Sequence, residues 1–129
     1  MVQDAVQNRR IMGIARVNLQ QKSVDFYALG PATGVSFAMS PDKQLAYGLH
    51  QEIGKYEFWT FDLKNRKIQS RIEFEGRPRM SLKASSNGKL LYIFQAGRTI
   101  DIYESATYKH LRTIELDADM TNLVLITAP

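Results

Sequence analysis

The sequence predicts an all-β fold assembled from repeated four-stranded antiparallel sheets. A pattern of strand, turn and strand occurs twice at an offset of 45 residues, because residues 40–47 (SPDKQLAY) are echoed by residues 85–92 (SSNGKLLY). Each copy follows a segment in which apolar residues recur at every second position, and each copy ends on a tyrosine. The Asp or Asn side chain in the turn can form a hydrogen bond with its own backbone. Repeats of about 40–45 residues built from short strands are typical of β-propeller blades. We therefore predict a partial β-propeller.

The first complete blade is predicted at residues 30–74. Residues 35–39 alternate large and small side chains, as an innermost strand near a crowded axis requires. Residues 45–49 are the second strand, and residues 67–74 are the outer strand. The third strand, residues 56–63, is rich in aromatic side chains, which we expect to pack between sheets rather than to form a binding platform.

The second complete blade is predicted at residues 75–117 and repeats this order. Its inner strand is assigned to residues 80–84 and its second strand to residues 89–94. The third strand follows at residues 98–104, and the outer strand at residues 109–116. Period-two alternation fits these segments better than a helical period, so we expect no helix.

The two ends of the chain carry partial blades. Residues 11–29 are predicted to be a half-blade made of a third strand and an outer strand. Residues 118–127 are predicted to be the inner strand of another unit. The polar residues 1–10 are expected to be frayed. The segment 11–129 thus contains about three blade-equivalents, two complete and two partial, in one propeller segment.

Composition excludes several classes of function. With no run of about 18 apolar residues, no membrane span is predicted. With no cysteine, the chain has no disulfide, thiolate metal site or cysteine nucleophile. The net charge of +4 is spread over turns and polar strand faces, so we expect no nucleic-acid partner. No apolar stretch of a secretory signal is seen at the N-terminus.

Three blade-equivalents are too few to close a ring, since single-chain propellers have about four to eight blades. Open ends expose apolar faces and unpaired strand edges. We therefore expect either a fragment of a longer propeller or copies that associate to complete a propeller, for example two copies in a six-blade ring. An open stack of three sheets is the remaining alternative.

Three residues are candidates for binding on the loop face: His50, Arg77 and Arg79. His50 is predicted to begin a loop, and a His can act as a base or a ligand. Arg77 and Arg79 lie in a loop that enters an inner strand, where propeller loops cluster at the mouth of the channel, and Arg suits carboxylate or phosphate. A solvated connector is the alternative. We predict no catalytic, cofactor-binding or metal-ligating residue.

Several stretches resemble the β subunit of quinohemoprotein amine dehydrogenases. They are residues 13–19 (GIARVNL), 56–67 (YEFWTFDLKNRK), 103–109 (YESATYK) and 114–120 (IELDADM). The resemblance covers most of the chain and corresponds to the C-terminal part of that subunit. Propellers of the YVTN and WD40-like type share the Ser-Pro-Asp turn and the tyrosine that follows it.

The resemblance implies a supporting role in a periplasmic oxidoreductase. In that family a tryptophan-derived quinone is carried by a small partner subunit, and haem by another subunit. This chain has one Trp and no Cys, so it cannot carry the crosslinked quinone itself. The expected function is a non-catalytic propeller scaffold that supports the quinone-bearing small subunit. One alternative is a generic propeller scaffold for protein interaction. Another is an enzyme subunit whose pocket is lined by His50, Arg77 and Arg79.

Overall fold

The computed structural model describes residues 2–4, 9–31 and 35–120. Across these three ranges every regular element is a β-strand, and the eleven strands form three antiparallel sheets. The chain divides into two compact units, Met1–Gly34 and Val35–Pro129. No helix long and apolar enough to cross a membrane occurs in the described ranges.

The first unit contains a three-stranded sheet. Strands β1 (Val2–Asp4), β2 (Arg9–Asn18) and β3 (Ser23–Pro31) pair in the order β1-β2-β3. Strand β1 pairs along the beginning of β2, with Val2 opposite Ile11. The structure differs here from the expected frayed N-terminus, because the backbone of β1 pairs with a strand that begins earlier than predicted. Residues 5–8 lie outside the described residues.

The second unit contains two four-stranded sheets, each ordered as the chain runs. The first sheet consists of β4 (Val35–Met39), β5 (Leu45–Glu52), β6 (Lys55–Asp62) and β7 (Lys67–Glu73). The second sheet consists of β8 (Ser81–Ala84), β9 (Leu90–Phe94), β10 (Gly97–Glu104) and β11 (His110–Met120). Strand β11 includes residues 118–120 of the inner strand predicted at 118–127, and the rest of that prediction lies outside the described residues.

The repeated turn has the same hydrogen bonds in both sheets. The Ser40 hydroxyl donates to the Asp42 carboxylate at 2.6 Å and accepts from the backbone N–H five residues later at 3.0 Å. The Ser85 hydroxyl donates to the Asn87 amide oxygen at 2.8 Å and accepts from the N–H five residues later at 3.0 Å. Because each Ser satisfies its turn locally, the turn is a property of the sequence repeat.

A second repeated turn joins the last two strands of each sheet. Lys22, Arg66 and Tyr108 lie in the β2–β3, β6–β7 and β10–β11 turns, and all have left-handed backbones with φ of 51°, 58° and 59°. In the first two turns, the side-chain oxygen of Asn18 or Asp62 accepts from the N–H three residues later, at 3.0 Å and 2.9 Å. Strands β2 and β3 therefore correspond to the third and outer strands of the complete sheets.

The two four-stranded sheets pack face to face around one apolar core. Phe58 of β6 is fully buried, and its ring stacks on Tyr108 at 4.6 Å and meets Tyr103 edge-on at 5.1 Å. The core includes buried side chains from both sheets, namely Tyr47, Leu49, Phe58, Met80, Leu82, Leu91, Ile93, Tyr103 and Tyr108. The aromatic third strand thus packs between sheets, as its sequence predicted.

Candidate functional site

The antiparallel order brings several connections to one end of the second unit. The β5–β6 turn, the β7–β8 loop and the β9–β10 turn all lie at the end where β5 and β9 finish. We call this the loop end and define it as residues 52–55, 74–80 and 95–97. The two Ser turns lie at the opposite end. Loops on a rigid scaffold are frequent positions for binding residues.

The β7–β8 loop is held tightly against the first sheet. The Gln51 side chain donates to the Met80 carbonyl and accepts from the Met80 N–H, both at 2.7 Å. The Phe74 N–H donates to the Tyr56 carbonyl at 3.0 Å. A Cβ on Gly76 would lie 2.6 Å from the Tyr56 ring, so only glycine allows this close approach. These contacts fix both ends of the loop.

Arg77 extends from this loop to the third strand of the second sheet. Its Nη2 donates to Thr99 Oγ1 at 3.2 Å and to Asp101 Oδ2 at 3.3 Å. The Thr113 hydroxyl donates to the other Asp101 oxygen at 2.5 Å. His110 Nε2 lies 3.7 Å from that same oxygen. Arg77 is therefore engaged in a polar network of the second sheet.

Sequence reasoning identified Arg77 but not its partners. Asp101 and Thr113 are 24 and 36 positions away, and only the pairing of β10 with β11 places them together. The same network affects Tyr103: burial raises the pKa of its phenol, the Asp101 charge raises it further, and the Arg77 charge opposes the rise.

His50 does not begin a loop, as the sequence analysis predicted, but lies within β5 and is buried. The strand continues to Glu52 because β6 pairs with it along its whole length. The imidazole stacks on Trp59 with ring centroids 4.9 Å apart. Its Nδ1 lies 3.5 Å from Glu57 Oε2, and its Nε2 lies 3.5 Å from Glu52 Oε1.

Trp59 and Glu57 complete this second polar network. The indole N–H of Trp59 donates to Glu57 Oε2 at 2.8 Å, and the Arg71 guanidinium lies 4.3 Å from the Trp59 ring centroid. Lys55 Nζ is 3.3 Å from the other Glu57 oxygen. The Trp59 hydrogen bond is the main reason that the pKa of Glu57 is lowered, with smaller contributions from the Lys55 and His50 charges.

The three candidate residues are not brought together. His50 alternates along β5 with the core residue Leu49 and therefore points to the opposite face of the first sheet. Arg77 contacts the second sheet. Arg79 is exposed and has a left-handed backbone with φ of 59°. Within the described ranges, no group of three or more His, Cys, Asp or Glu side chains could hold a metal ion.

The loop end presents exposed side chains next to a loop whose two ends are held by hydrogen bonds. Ile53 at the tip of the β5–β6 turn is 100% exposed. Pro78 and Arg79 are exposed in the β7–β8 loop. Arg98, just beyond the β9–β10 turn, donates to the carbonyls of Leu116 and Asp117 at 3.1 Å and 3.0 Å.

Comparison with solved structures identifies the architecture. The chain is similar to hydrazine synthase from Kuenenia stuttgartiensis, with a TM-score of 0.60 and 18% identity over 81% of this chain and 30% of that one. The fold is that of a β-propeller. The propeller domain of the Trilobed protease from Pyrococcus furiosus, described as having an open velcro topology, gives a TM-score of 0.54 and 17% identity over 88% and 37%.

A third similar structure is a gluconolactonase from Xanthomonas campestris, with a TM-score of 0.58 and 17% identity over 87% of this chain and 37% of that one. This chain thus spans about a third of the length of these structures. No family model and no curated protein sequence matches it. The predicted all-β class and partial propeller are confirmed, whereas the resemblance to the amine dehydrogenase β subunit stays a prediction.

Proposed function

We propose that this chain is a non-catalytic propeller scaffold that binds a protein partner through its loop end. The observation that carries the proposal is the pair of 2.7 Å hydrogen bonds between Gln51 and Met80. They fix the β7–β8 loop, while Pro78 and Arg79 in the same loop stay exposed. A surface that is ordered before binding loses less conformational entropy when a partner docks.

The residue types at the loop end suit a protein partner. A completely exposed Ile53 gains hydrophobic free energy when a partner covers it. Arg79 supplies a guanidinium, a group enriched at protein interfaces. His50 and Arg77 make contacts inside the sheets. This favours a scaffold over an enzyme pocket lined by His50, Arg77 and Arg79.

Site-specific photo-crosslinking in the source cells tests the surface. A photoreactive amino acid replaces Ile53 in one variant and Lys64, which is exposed in the turn at the opposite end, in a matched control. We expect a crosslinked protein from position 53 that Arg79→Glu reduces at least several-fold. Absence of a product from position 53, or equal products from both positions, would overturn the proposal.

A more specific version names the quinone-bearing small subunit of a quinohemoprotein amine dehydrogenase as the partner. It is supported by the sequence resemblance over most of the chain, including residues 56–67 and 114–120. This version entails a periplasmic location, with the tryptophan-derived quinone and the haem carried by the partner subunits.

Calorimetric titration of the chain with a purified small subunit of that family tests this version. We expect binding that Arg79→Glu weakens by about tenfold, the effect of losing roughly 1.4 kcal/mol at an interface. Lys64→Glu at the opposite end should leave the affinity unchanged. If no heat of binding is detected while crosslinking at position 53 succeeds, the named partner is wrong and the scaffold proposal stands.

A further inference from the structure

The turn between β8 and β9 contains the only Asn-Gly pair in the sequence, Asn87-Gly88. An asparagine followed by glycine is especially prone to spontaneous deamidation, because glycine has no side chain to shield its backbone nitrogen from attack. The turn itself favours this glycine: Gly88 has a left-handed φ of 72°, and a Cβ there would lie 2.9 Å from Pro41 Cδ. The geometry of the turn thus selects a chemically labile pair.

Deamidation begins when the backbone nitrogen of Gly88 attacks the side-chain carbonyl carbon of Asn87. A bond forms between this nitrogen and Asn87 Cγ, the bond from Cγ to Nδ2 breaks, and the Gly88 N–H proton leaves with Nδ2 as ammonia. The product is a five-membered succinimide ring. Water then opens the ring: cleavage between Cγ and the nitrogen gives aspartate, whereas cleavage between the backbone carbonyl carbon and the nitrogen gives isoaspartate.

The folded turn opposes the first step, because the attacking nitrogen is a hydrogen-bond donor of the turn. The Gly88 N–H donates to the Ser85 carbonyl at 3.0 Å. The Asn87 side chain is also held, since its Oδ1 accepts from the Ser85 hydroxyl at 2.8 Å and from the Lys89 N–H at 3.0 Å. The nitrogen of a succinimide carries no hydrogen, so the bond from Gly88 to Ser85 is lost when the ring forms. Deamidation therefore requires an open turn.

The equivalent turn of the first sheet shows how an aspartate product fits. Asp42 occupies the position that corresponds to Asn87, and its Oδ1 accepts from the Ser40 hydroxyl at 2.6 Å and from the Gln44 N–H at 3.0 Å. These two hydrogen bonds, the Ser40 bond first, lower the pKa of Asp42. A turn of this kind therefore favours an ionised carboxylate at this position.

We propose that Asn87 is a deamidation site whose reactivity is controlled by opening of the β8–β9 turn. Asn87 is stable while the turn is closed and forms the succinimide when the turn opens. The aspartate product closes the turn again with one added negative charge. The isoaspartate product does not, because its main chain is longer by one carbon atom and alters the distance spanned by the 2.9 Å bond from the Ser85 N–H to the Leu90 carbonyl. The proposal goes beyond the proposed function and does not depend on it.

Mass spectrometry of the tryptic peptide 84–89 measures the reaction, since trypsin cleaves after Lys83 and Lys89. The folded chain and the chain unfolded in urea are incubated in the same mildly alkaline buffer. We expect deamidation at Asn87 to be at least roughly tenfold slower in the folded chain, because only molecules with an open turn react. Asn18, which is followed by Leu19, is the internal control and should react far more slowly than Asn87 in urea. Equal rates at Asn87 in the folded and the unfolded chain overturn the proposal.

A variant tests whether the turn itself provides the protection. Ser85→Ala removes the hydroxyl that bonds the Asn87 side chain and the Leu90 N–H, so deamidation in the folded chain should become several-fold faster. Ser81→Ala, at an exposed position of β8, is the matched control and should leave the rate unchanged. If Ser85→Ala folds and deamidates at the wild-type rate, the proposal is wrong.

Hydrogen exchange of the Gly88 N–H in the wild-type chain gives a second measurement that does not depend on a variant. Exchange and deamidation both require the bond from Gly88 to the Ser85 carbonyl to break. We therefore expect folding to slow the two reactions by similar factors. Rapid exchange of this N–H together with slow deamidation of Asn87 would show that another feature protects the asparagine, and the proposal would be wrong.

Thermal unfolding of the two products tests the last step. Asn87→Asp should unfold at nearly the wild-type temperature, because the carboxylate accepts the same two hydrogen bonds as Asp42 does in the first turn. The isoaspartate form, separated by chromatography from the aged chain, should unfold at a clearly lower temperature. If Asn87→Asp is destabilised as much as the isoaspartate form, the turn does not close again on an aspartate and this part of the proposal fails.

Discussion

The side-chain hydroxyls of Thr60 and Tyr108 form a hydrogen bond between the two sheets of the second unit. Thr60 lies in β6, in the middle of the first sheet, whereas Tyr108 lies in the turn before β11 of the second sheet. Both residues are buried, and the Tyr108 N–H donates to the Glu104 carbonyl at 2.8 Å. The contact thus connects a turn of one sheet to the centre of the other.

Tyr108→Phe should lower the free energy of unfolding by about 1–3 kcal/mol, because the ring stack remains while the buried Thr60 hydroxyl loses its partner. Urea denaturation measures the loss. The double variant Tyr108→Phe/Thr60→Val serves as the control, since removing both hydroxyls should cost less than the sum of the two single changes. Additive effects would show that the hydroxyls are not coupled.

The same tyrosine predicts a loss of stability at high pH. Burial raises the pKa of Tyr108 from 10.0 to about 12 in the folded chain. Folding therefore favours the protonated phenol, and this contribution is complete below pH 10 and is lost as the pH rises from 10 towards 12. We expect the stability of the wild-type chain to fall more steeply over this window than that of Tyr108→Phe. If the stabilities of the two chains fall in parallel from pH 10 to pH 12, ionisation of Tyr108 is not the cause of the loss.

Gln51→Leu should destabilise the contact between the first sheet and the β7–β8 loop. The change removes two 2.7 Å hydrogen bonds between the Gln51 side chain and Met80. The backbone N–H and carbonyl of Met80 then lose their side-chain partner. We expect a loss of about 1–3 kcal/mol in chemical denaturation. Gln69→Leu, at an exposed position of β7, is the matched control and should change stability by less than about 0.5 kcal/mol.

Asp42 and Asn87 occupy equivalent turn positions, and only Asp42 titrates. The hydrogen bond from Ser40, followed by the one from the Gln44 N–H, lowers the pKa of Asp42 below 3.8. The ionised side chain therefore contributes stability above pH 3.8, and this contribution is lost as the pH falls through the lowered pKa. Asp42→Asn should remove this part of the acid sensitivity. If the difference in unfolding free energy between the wild-type chain and Asp42→Asn stays constant from pH 5 to pH 2, the prediction is wrong.

Phe58→Ala should cost about 3–5 kcal/mol, because a fully buried ring that stacks on Phe74 and Tyr108 is replaced by a cavity. Phe58→Leu should cost less and keeps the prediction measurable if the alanine variant does not fold. Phe37→Leu is the control, since this ring is 43% exposed. Among these three variants, thermal unfolding should give the lowest unfolding temperature for Phe58→Ala and the highest for Phe37→Leu.

The parts of the structure that the sequence predicted depend on local interactions. The turns at Ser40 and Ser85 are built from hydrogen bonds within six residues, so a short stretch of sequence is enough to recognise the repeat. The alternation of apolar residues indicated strands, and the 45-residue offset between the two copies of the turn indicated repeated sheets. This was sufficient for the all-β class and the propeller fold.

The candidate site was less predictable because its contacts join distant residues. Nothing in the neighbourhood of Arg77 indicates Asp101, 24 positions later, as its partner. The sequence analysis predicts that a loop begins at His50, yet pairing with β6 extends β5 through Gln51 and Glu52. The fully exposed Ile53 could have been noticed, since Gly54 marks a tight turn beside it.

For this protein, the sequence by itself determined the repeat, the turns and the class of fold, because hydrogen bonds within a turn and the two-residue period of a strand act over short distances. Only the tertiary structure decided which polar groups meet, on which face of a sheet His50 lies, and that Thr60 of one sheet bonds Tyr108 of the other. Those outcomes depend on strand register and on the packing of two sheets, which no short stretch of sequence encodes alone.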